Sequence, residues 1–430
     1  MNQTGLKIAL KIYDTAWRAF MPALRISSRL KEGYDGRSLA ADLPAADLWI
    51  QAASGGEAYL AWSILSALNP PVHTRVLVTT NTGQGMEILQ KAALQPGPAN
   101  PSITIMTAWF PFDRPSVMRK AVCQVNPKLV VFLETEIWPG LLYALKSGGR
   151  PAWIINGRLT EKSFSRYRRG SGLLRMLRPE GVLCVSDADA ARFSKLFGKD
   201  IVSEMTNIKF DKLPALKPDQ QQQALPGILA PESKFLVLGS IRKEEEAGVR
   251  KLMENVRGHY SDVVIGLFPR HMHRLEHWKL ELKRMNTPWV LRSQMSGPAE
   301  PGSVILWDTF GELSEAYWAA DSVFVGGSLA PLGGQNFLEP LLCGCQPVMG
   351  PSWDNFFWVG EDVFSQGLVL KESNWQAAAR RLVEQLQNPP DREKIRAKAV
   401  QYISARQGGT KKACGVIEKY LEKDPRKEAL

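Results

Sequence analysis

The chain has few of the features that mark metal, disulfide or membrane-spanning proteins. Its five cysteines, Cys123, Cys184, Cys343, Cys345 and Cys414, show no paired metal spacing, and Cys343-Gly344-Cys345 is too close for a zinc knuckle. Reduced thiols in a cytosolic protein are the expectation. His271, His273 and His277 are neighbours in sequence, but no carboxylate or cysteine beside them completes a familiar ligand set, so no metal is expected. No apolar run is long enough to span a bilayer, and no signal peptide with a cleavage site is visible. There is no internal repeat of solenoid type. These absences exclude a polytopic membrane protein, a disulfide scaffold and a repeat array.

What is present fits a globular protein of more than one domain. At 430 residues the chain is too long for one ordinary core, and its hydrophobic and charged contents, 44% and 23%, are those of a soluble fold. The net charge of +11 favours a polyanionic partner: a nucleic acid, an anionic membrane face or a phosphorylated substrate. Near the start, Leu6, Leu10, Tyr13, Trp17, Phe20, Met21 and Leu24 recur at helical spacing, flanked by Lys7, Lys11, Arg18, Arg25 and Arg29. Such a basic amphipathic helix lies in a bilayer interface or packs on its own domain, and Pro22 is expected to kink or divide it.

Strand-like runs alternate with helical ones throughout. They are Leu48–Ala52, Arg75–Thr79, Ile103–Thr107, Leu129–Leu133, Ala152–Ile155 and Val182–Val185 in the first half. In the second half they are Phe235–Leu238, Val263–Phe268, Trp289–Leu291, Val304–Trp307, Val323–Val325 and Pro347–Met349. Most are continuous and β-branched, as strands buried on both faces should be, and two doubly wound α/β sheets follow. A proline- and glutamine-rich stretch near residues 211–233 reads as the linker, and a cleft between the domains is the expected ligand site.

Chemistry is expected where strands end. Ala53-Ser54-Gly55-Gly56-Glu57 turns from the first strand into a helix: Ser54 and Gly56 leave room for a substrate, and the helix dipole is expected to keep Glu57 ionised as a proton acceptor. The plainer reading is an ordinary first-turn glutamate. Thr79-Thr80-Asn81-Thr82-Gly83 reads as a turn and helix cap. Glu134 and Glu136 follow the fourth strand, and alternation sends both to one side if the strand continues. Lys209 is a candidate partner, which as a purely structural ion pair would have no catalytic part. Arg158 suits a carboxylate or phosphate.

In the second half, Pro269-Arg270-His271 ends a strand where Arg270 can meet a phosphate, and Gly311-Glu312-Leu313 opens a helix. Gly326-Gly327-Ser328 follows a buried strand, where backbone N–H groups can cradle an anion. Asn336 and Glu339, three residues apart around Phe337 and Leu338, share a face if helical and suit ribose hydroxyls and a base edge.

The ordered set Ser-x-Gly-Glu, Glu-Thr-Glu-x-Trp-Pro, Asn-x-Arg-Leu, Asn-x-Lys-Phe-Asp, Pro-Arg-His, Gly-Glu-Leu, Gly-Gly-Ser and Asn-x-x-Glu-Pro resembles that of the Kdo transferases. These enzymes move 3-deoxy-D-manno-octulosonic acid (Kdo) from its CMP-activated form onto a lipid A precursor. The resemblance runs from about Leu48 to Trp358. It implies a GT-B fold, two Rossmann-like domains facing a cleft, and an inverting transfer without metal or other cofactor. By this match Glu57 is the general base, and Glu134, rather than Glu136, supports the transition state with Lys209. Pro269, Arg270, Gly311, Glu312, Leu313, Gly326, Gly327, Ser328, Asn336, Phe337, Leu338 and Glu339 fall on the CMP side; Ser54, Gly56 and Arg158 fall on the acceptor or Kdo side. Valine and histidine are usual in the family where Gly55 and Gln335 stand here.

The implied layout is a membrane-associating segment 1–30, an acceptor domain 31–211, a linker 212–232, a CMP-sugar domain 233–405 and a C-terminal helix 406–430 that can return to the first domain. The implied partners are CMP-Kdo, a lipid A precursor and the anionic cytoplasmic face of the inner membrane, peripherally or through an N-terminal anchor, and not nucleic acid. A transferase or epimerase using another nucleotide sugar, or a non-catalytic lipid-binding relative, are the alternatives.

Overall fold

The computed structural model describes residues 3–26, 31–94, 102–213, 225 and 227–422. Arg29 and most of the expected linker, 214–224 and Pro226, lie outside them. The chain forms two compact units, Met1–Pro214 with Arg406–Leu430, and Ala215–Ala405.

The first unit carries a parallel sheet of β1 (Leu48–Gln51), β2 (Thr74–Thr80), β3 (Ile103–Trp109), β4 (Leu129–Leu133), β5 (Ala152–Gly157), β6 (Gly181–Cys184) and β7 (Val202–Glu204). The order is β3-β2-β1-β4-β5-β6-β7. β1 therefore lies between β2 and β4, and the chain winds outward in both directions from the β1/β4 pair. That pair is the switch point of the sheet, the place where open α/β sheets present a crevice at their carboxyl ends. β1 and β4 are buried along their whole length, which their unbroken apolar runs Leu48-Trp49-Ile50 and Leu129–Leu133 require.

Two helices from the chain ends pack on this unit. The helix Gly409–Glu422 sets Ala413, Cys414, Ile417 and Leu421 into one core cluster with Ala58, Leu60, Ala61 and Ile64 of the helix Gly55–Ala67. The helix Gln3–Leu24 turns Leu6 and Leu10 into the opposite core. Its Tyr13 Oη donates to Asp113 Oδ2 at 3.0 Å, Asp14 pairs with Arg114 at 3.1 Å, and Trp17 packs on Phe112. Of the two readings of the stripe, packing on its own domain thus claims Leu6, Leu10, Tyr13 and Trp17, while Phe20 stays exposed. Pro22 falls in the last turn and does not divide the helix.

The second unit carries β8 (Phe235–Ile241), β9 (Val264–Pro269), β10 (Trp289–Leu291), β11 (Val304–Leu306), β12 (Ser322–Val325), β13 (Val348–Met349) and β14 (Leu370–Lys371), all parallel, in the order β10-β11-β9-β8-β12-β13-β14. Here β8 and β12 flank the switch point. Twelve of the fourteen strands were legible as apolar runs. The other two, β7 and β14, are edge strands: β7 is half-buried to exposed and β14 is two residues long, so neither carries the buried run that marks a central strand.

Candidate active site

In the first unit the carboxyl ends of β1 and β4 bring three glutamates together. Ser54, extended at φ −130°, caps the helix Gly55–Ala67 by accepting from Glu57 N at 3.4 Å, and Glu57 Oε2 accepts in return from Ala53 N. This reciprocal cap folds the Glu57 carboxylate back over the end of β1. Burial, then the charges of Glu136 and Glu134, push Glu57 up to about 8, against the opposing pull of the Ala53 and Ser54 N–H groups. The expectation that the helix dipole keeps Glu57 ionised is corrected: desolvation and like charges outweigh it.

β4 stops at Leu133, so Glu134 and Glu136 do not continue its alternation. Glu134 instead takes a left-handed conformation, φ 56°. Its Oε1 receives Lys209 Nζ at 3.0 Å and lies 3.8 Å from Arg158 Nη1. Glu136 Oε2 accepts from Trp138 Nε1 at 2.6 Å and from Gln51 Nε2 at 3.5 Å, and burial raises its pKa. The two carboxylates thus differ in kind: Glu134 has cationic partners, whereas the hydrogen bonds that hold Glu136 come from neutral groups.

Lys209 is placed by two asparagines. Asn207 Oδ1 accepts from Lys209 N at 3.0 Å, and Asn156, left-handed at the end of β5 with φ 58°, accepts from Ile208 N at 3.0 Å. The roles of Asn156, Asn207, Gln51 and Trp138 did not emerge from sequence; only the positive φ at Asn156, a residue type that tolerates it, leaves a trace there. Ser54 is half-buried, and Gly56 is exposed, where a Cβ would meet Ser54 Oγ at an ordinary 3.8 Å.

In the second unit the expected residues separate into surface and scaffold. Pro269 is buried at the end of β9, while Arg270 is exposed and its N–H donates to Ile241 O at 2.8 Å. Gly311 turns with φ 90°. Glu312 is held by Thr309 Oγ1 at 2.7 Å, Trp307 Nε1 at 2.8 Å and Arg292 Nη2 at 2.8 Å. Burial raises its pKa, but these hydrogen bonds and the arginine charge outweigh that and hold it below the usual value. Leu313, half-buried, opens the helix Leu313–Ala319.

Two readings of this unit are corrected. The Gly326-Gly327-Ser328 turn is an anion nest, but its anion is Glu245. The Gly327 N–H, Ser328 N–H at 3.0 Å and Leu329 N–H at 3.1 Å all donate to this carboxylate, which is only 3% exposed. The glycines serve packing: a Cβ on Gly326 would come within 2.6 Å of Ser240 O, and one on Gly327 within 3.0 Å of Gln335. Asn336 does not share a helix face with Glu339, because the helix runs only from Leu338 to Leu342. Asn336 precedes it and accepts from Leu338 N at 3.1 Å. Phe337 and Leu338 are buried core residues, Phe337 against Phe356 and Phe364, whereas Asn336 is exposed and Glu339 half-buried. Burial, then the Glu315 charge, raises the pKa of Glu339.

Two parallel seven-stranded sheets with helices, one in each unit, make up the GT-B type of two-domain α/β fold. The fold is shared with a glycosyltransferase from Rickettsia africae (TM-score 0.54, 12% identity, covering 88% of this chain and 99% of that one). It is shared too with a UDP-GlcNAc 2-epimerase from Neisseria meningitidis (TM-score 0.51, 14% identity, 88% and 100% covered). Within the class, residues 25–212 match the family described as 3-deoxy-D-manno-octulosonic-acid transferase (kdotransferase). The 3-deoxy-D-manno-octulosonic acid transferase of Bordetella pertussis is 29% identical over 94% of this chain and 92% of its own, and that of Haemophilus influenzae 27% over 93% of each. The chain is similar to these Kdo transferases along almost its whole length.

Proposed function

We propose that the protein transfers Kdo from CMP-Kdo to a hydroxyl of a lipid A precursor, with inversion. The observation that carries this reading is the desolvated Glu57 carboxyl at the β1/β4 switch point, flanked by Glu136 and by the Glu134–Lys209 pair. In the reaction the acceptor oxygen bonds to the anomeric carbon, its proton passes to Glu57, and the bond to CMP breaks. A base with a raised pKa is the stronger acceptor once ionised. Lys209, steadied by Glu134, adds positive charge where the transition state and the donor's own carboxylate need it. CMP leaves as a monophosphate, a charge that Arg270 can meet without a divalent cation. Incubation with CMP-Kdo and a tetra-acylated lipid A precursor should give product masses raised by whole Kdo units. Transfer from a UDP-sugar instead, or no transfer with CMP-Kdo, would overturn the proposal.

The acceptor's lipid nature gives the N-terminal helix a second role, at the cytoplasmic face of the inner membrane. Among the described residues no helix is long and apolar enough to cross a membrane. On the face of Gln3–Leu24 turned away from its domain, Ile8, Ile12 and Phe20 are 56%, 65% and 66% exposed, with exposed Ala16, Ala19 and Ala23 among them. Lys7, Lys11, Arg18 and Arg25 border this strip, and all are exposed. An apolar strip edged by cations suits an anionic interface. Replacing Ile8, Ile12 and Phe20 together by serine should weaken binding to phosphatidylglycerol vesicles roughly tenfold or more, at an unchanged melting temperature. Undiminished vesicle binding would remove the helix from this role.

A further inference from the structure

We propose that Arg242 is a second arginine for the donor phosphate, closing on it together with Arg270. This rests on the nucleotide-sugar reading above and concerns a residue to which neither the sequence motifs nor the relatives assign a part.

β8 and β9 are paired in parallel, with Ile241 opposite Pro269. The next residue on each strand is an arginine, and the Arg270 N–H donation to Ile241 O keeps the two chains level as they leave the sheet. Both arginines thus stand at neighbouring strand ends, on the edge where an α/β sheet receives phosphate. The Arg242 main chain is fixed, because its N–H donates to Glu245 Oε1 at 2.9 Å. Its side chain is not satisfied: Nε is buried and has no hydrogen-bond acceptor. The anion beside it, Glu244 Oε2, is 3.7 Å away, close enough for charge but too far for a hydrogen bond. Among the described residues Arg270 has no carboxylate partner.

The filled nest explains why side chains are needed here. In many phosphate sites the glycine-turn N–H groups hold the anion. In this protein Glu245 occupies those groups, so donors to a phosphate at this edge must come from elsewhere. Two planar guanidinium groups can supply paired N–H donors to separate phosphate oxygens.

The test is calorimetric titration of the full chain with CMP, UMP and cytidine, for the wild type, Arg242→Gln, Arg242→Lys and Arg270→Gln. Arg242→Gln should weaken CMP roughly tenfold or more and leave cytidine binding unchanged, because cytidine lacks the phosphate. Arg242→Lys should recover part of the loss. CMP affinity unchanged in Arg242→Gln would overturn the proposal, as would an equal loss of CMP and cytidine, which marks a structural role. If the wild type binds UMP rather than CMP with the same dependence on Arg242, the phosphate seat stands and the cytidine donor falls. If it binds neither nucleotide, both fall.

Discussion

Glu57→Gln is expected to abolish most transfer, by about 10²–10⁴-fold, while melting no lower than the wild type and higher above pH 8. The two halves of this result come from one cause. Burial and the neighbouring carboxylates push Glu57 from 4.5 up to about 8, so the folded protein holds a proton that the unfolded chain releases. The protonated form suits the fold at low pH. Stability is lost as pH rises from about 4.5 to about 8, and no more is lost beyond. The penalty at alkaline pH is on the order of a few kcal/mol. Glutamine cannot ionise and escapes that penalty, and its amide oxygen can still accept from Ala53 N–H. A residue serving only as a helix cap would show the opposite pattern: little loss of activity and a lower melting temperature.

The same value sets the pH profile. As the base, Glu57 must be ionised, so kcat/KM should climb with unit slope up to about pH 8 and level off above it. An acidic limb near 4.5 would mean that the group titrating in catalysis is an ordinary exposed carboxylate. Initial rates at subsaturating donor between pH 5 and 9.5 decide the matter.

How much of this was legible in the sequence depends on the range of the interaction. Leu129–Leu133 and Leu48-Trp49-Ile50 announce themselves, because a strand covered on both faces needs apolar residues at every position. Glu57 at a strand end, and a glycine pair after β12, are likewise local signals. The occupant of the nest is not, for Glu245 lies 82 positions before Gly327. Nor is the protonation of Glu57, which turns on its burial and then on Glu136 and Glu134, two residues carried by the segment that follows a different strand. Asn336 was misplaced for a local reason: its short polar side chain bonds to the backbone two residues on, at Leu338, and so favours the position just outside a helix over one within it. The N-terminal helix was apolar over more than half its circumference, and the sequence could not say which part the domain would claim.

The charge pattern around Glu57 predicts two displacements of opposite sign. Lys209 holds Glu134 at 3.0 Å, in a pair whose side chains are 27% and 17% exposed. In Lys209→Met the cation is gone and Glu134 repels an ionised Glu57 with less compensation. The acidic limb should move above pH 8, by on the order of one unit, and kcat should fall about 10²-fold because the transition state loses the same cation. Glu136→Gln removes the stronger of the two like charges acting on Glu57 while leaving an oxygen for Trp138 Nε1 to bond. Its limb should move down by a similar amount, and at pH 7 the variant should gain in the fraction of base ionised. Only a mechanism in which Glu57 gives up its proton before accepting another yields shifts in both directions. If both limbs stay in place, or both move the same way, the three carboxylates do not act as a coupled set and the proton acceptor must be sought elsewhere.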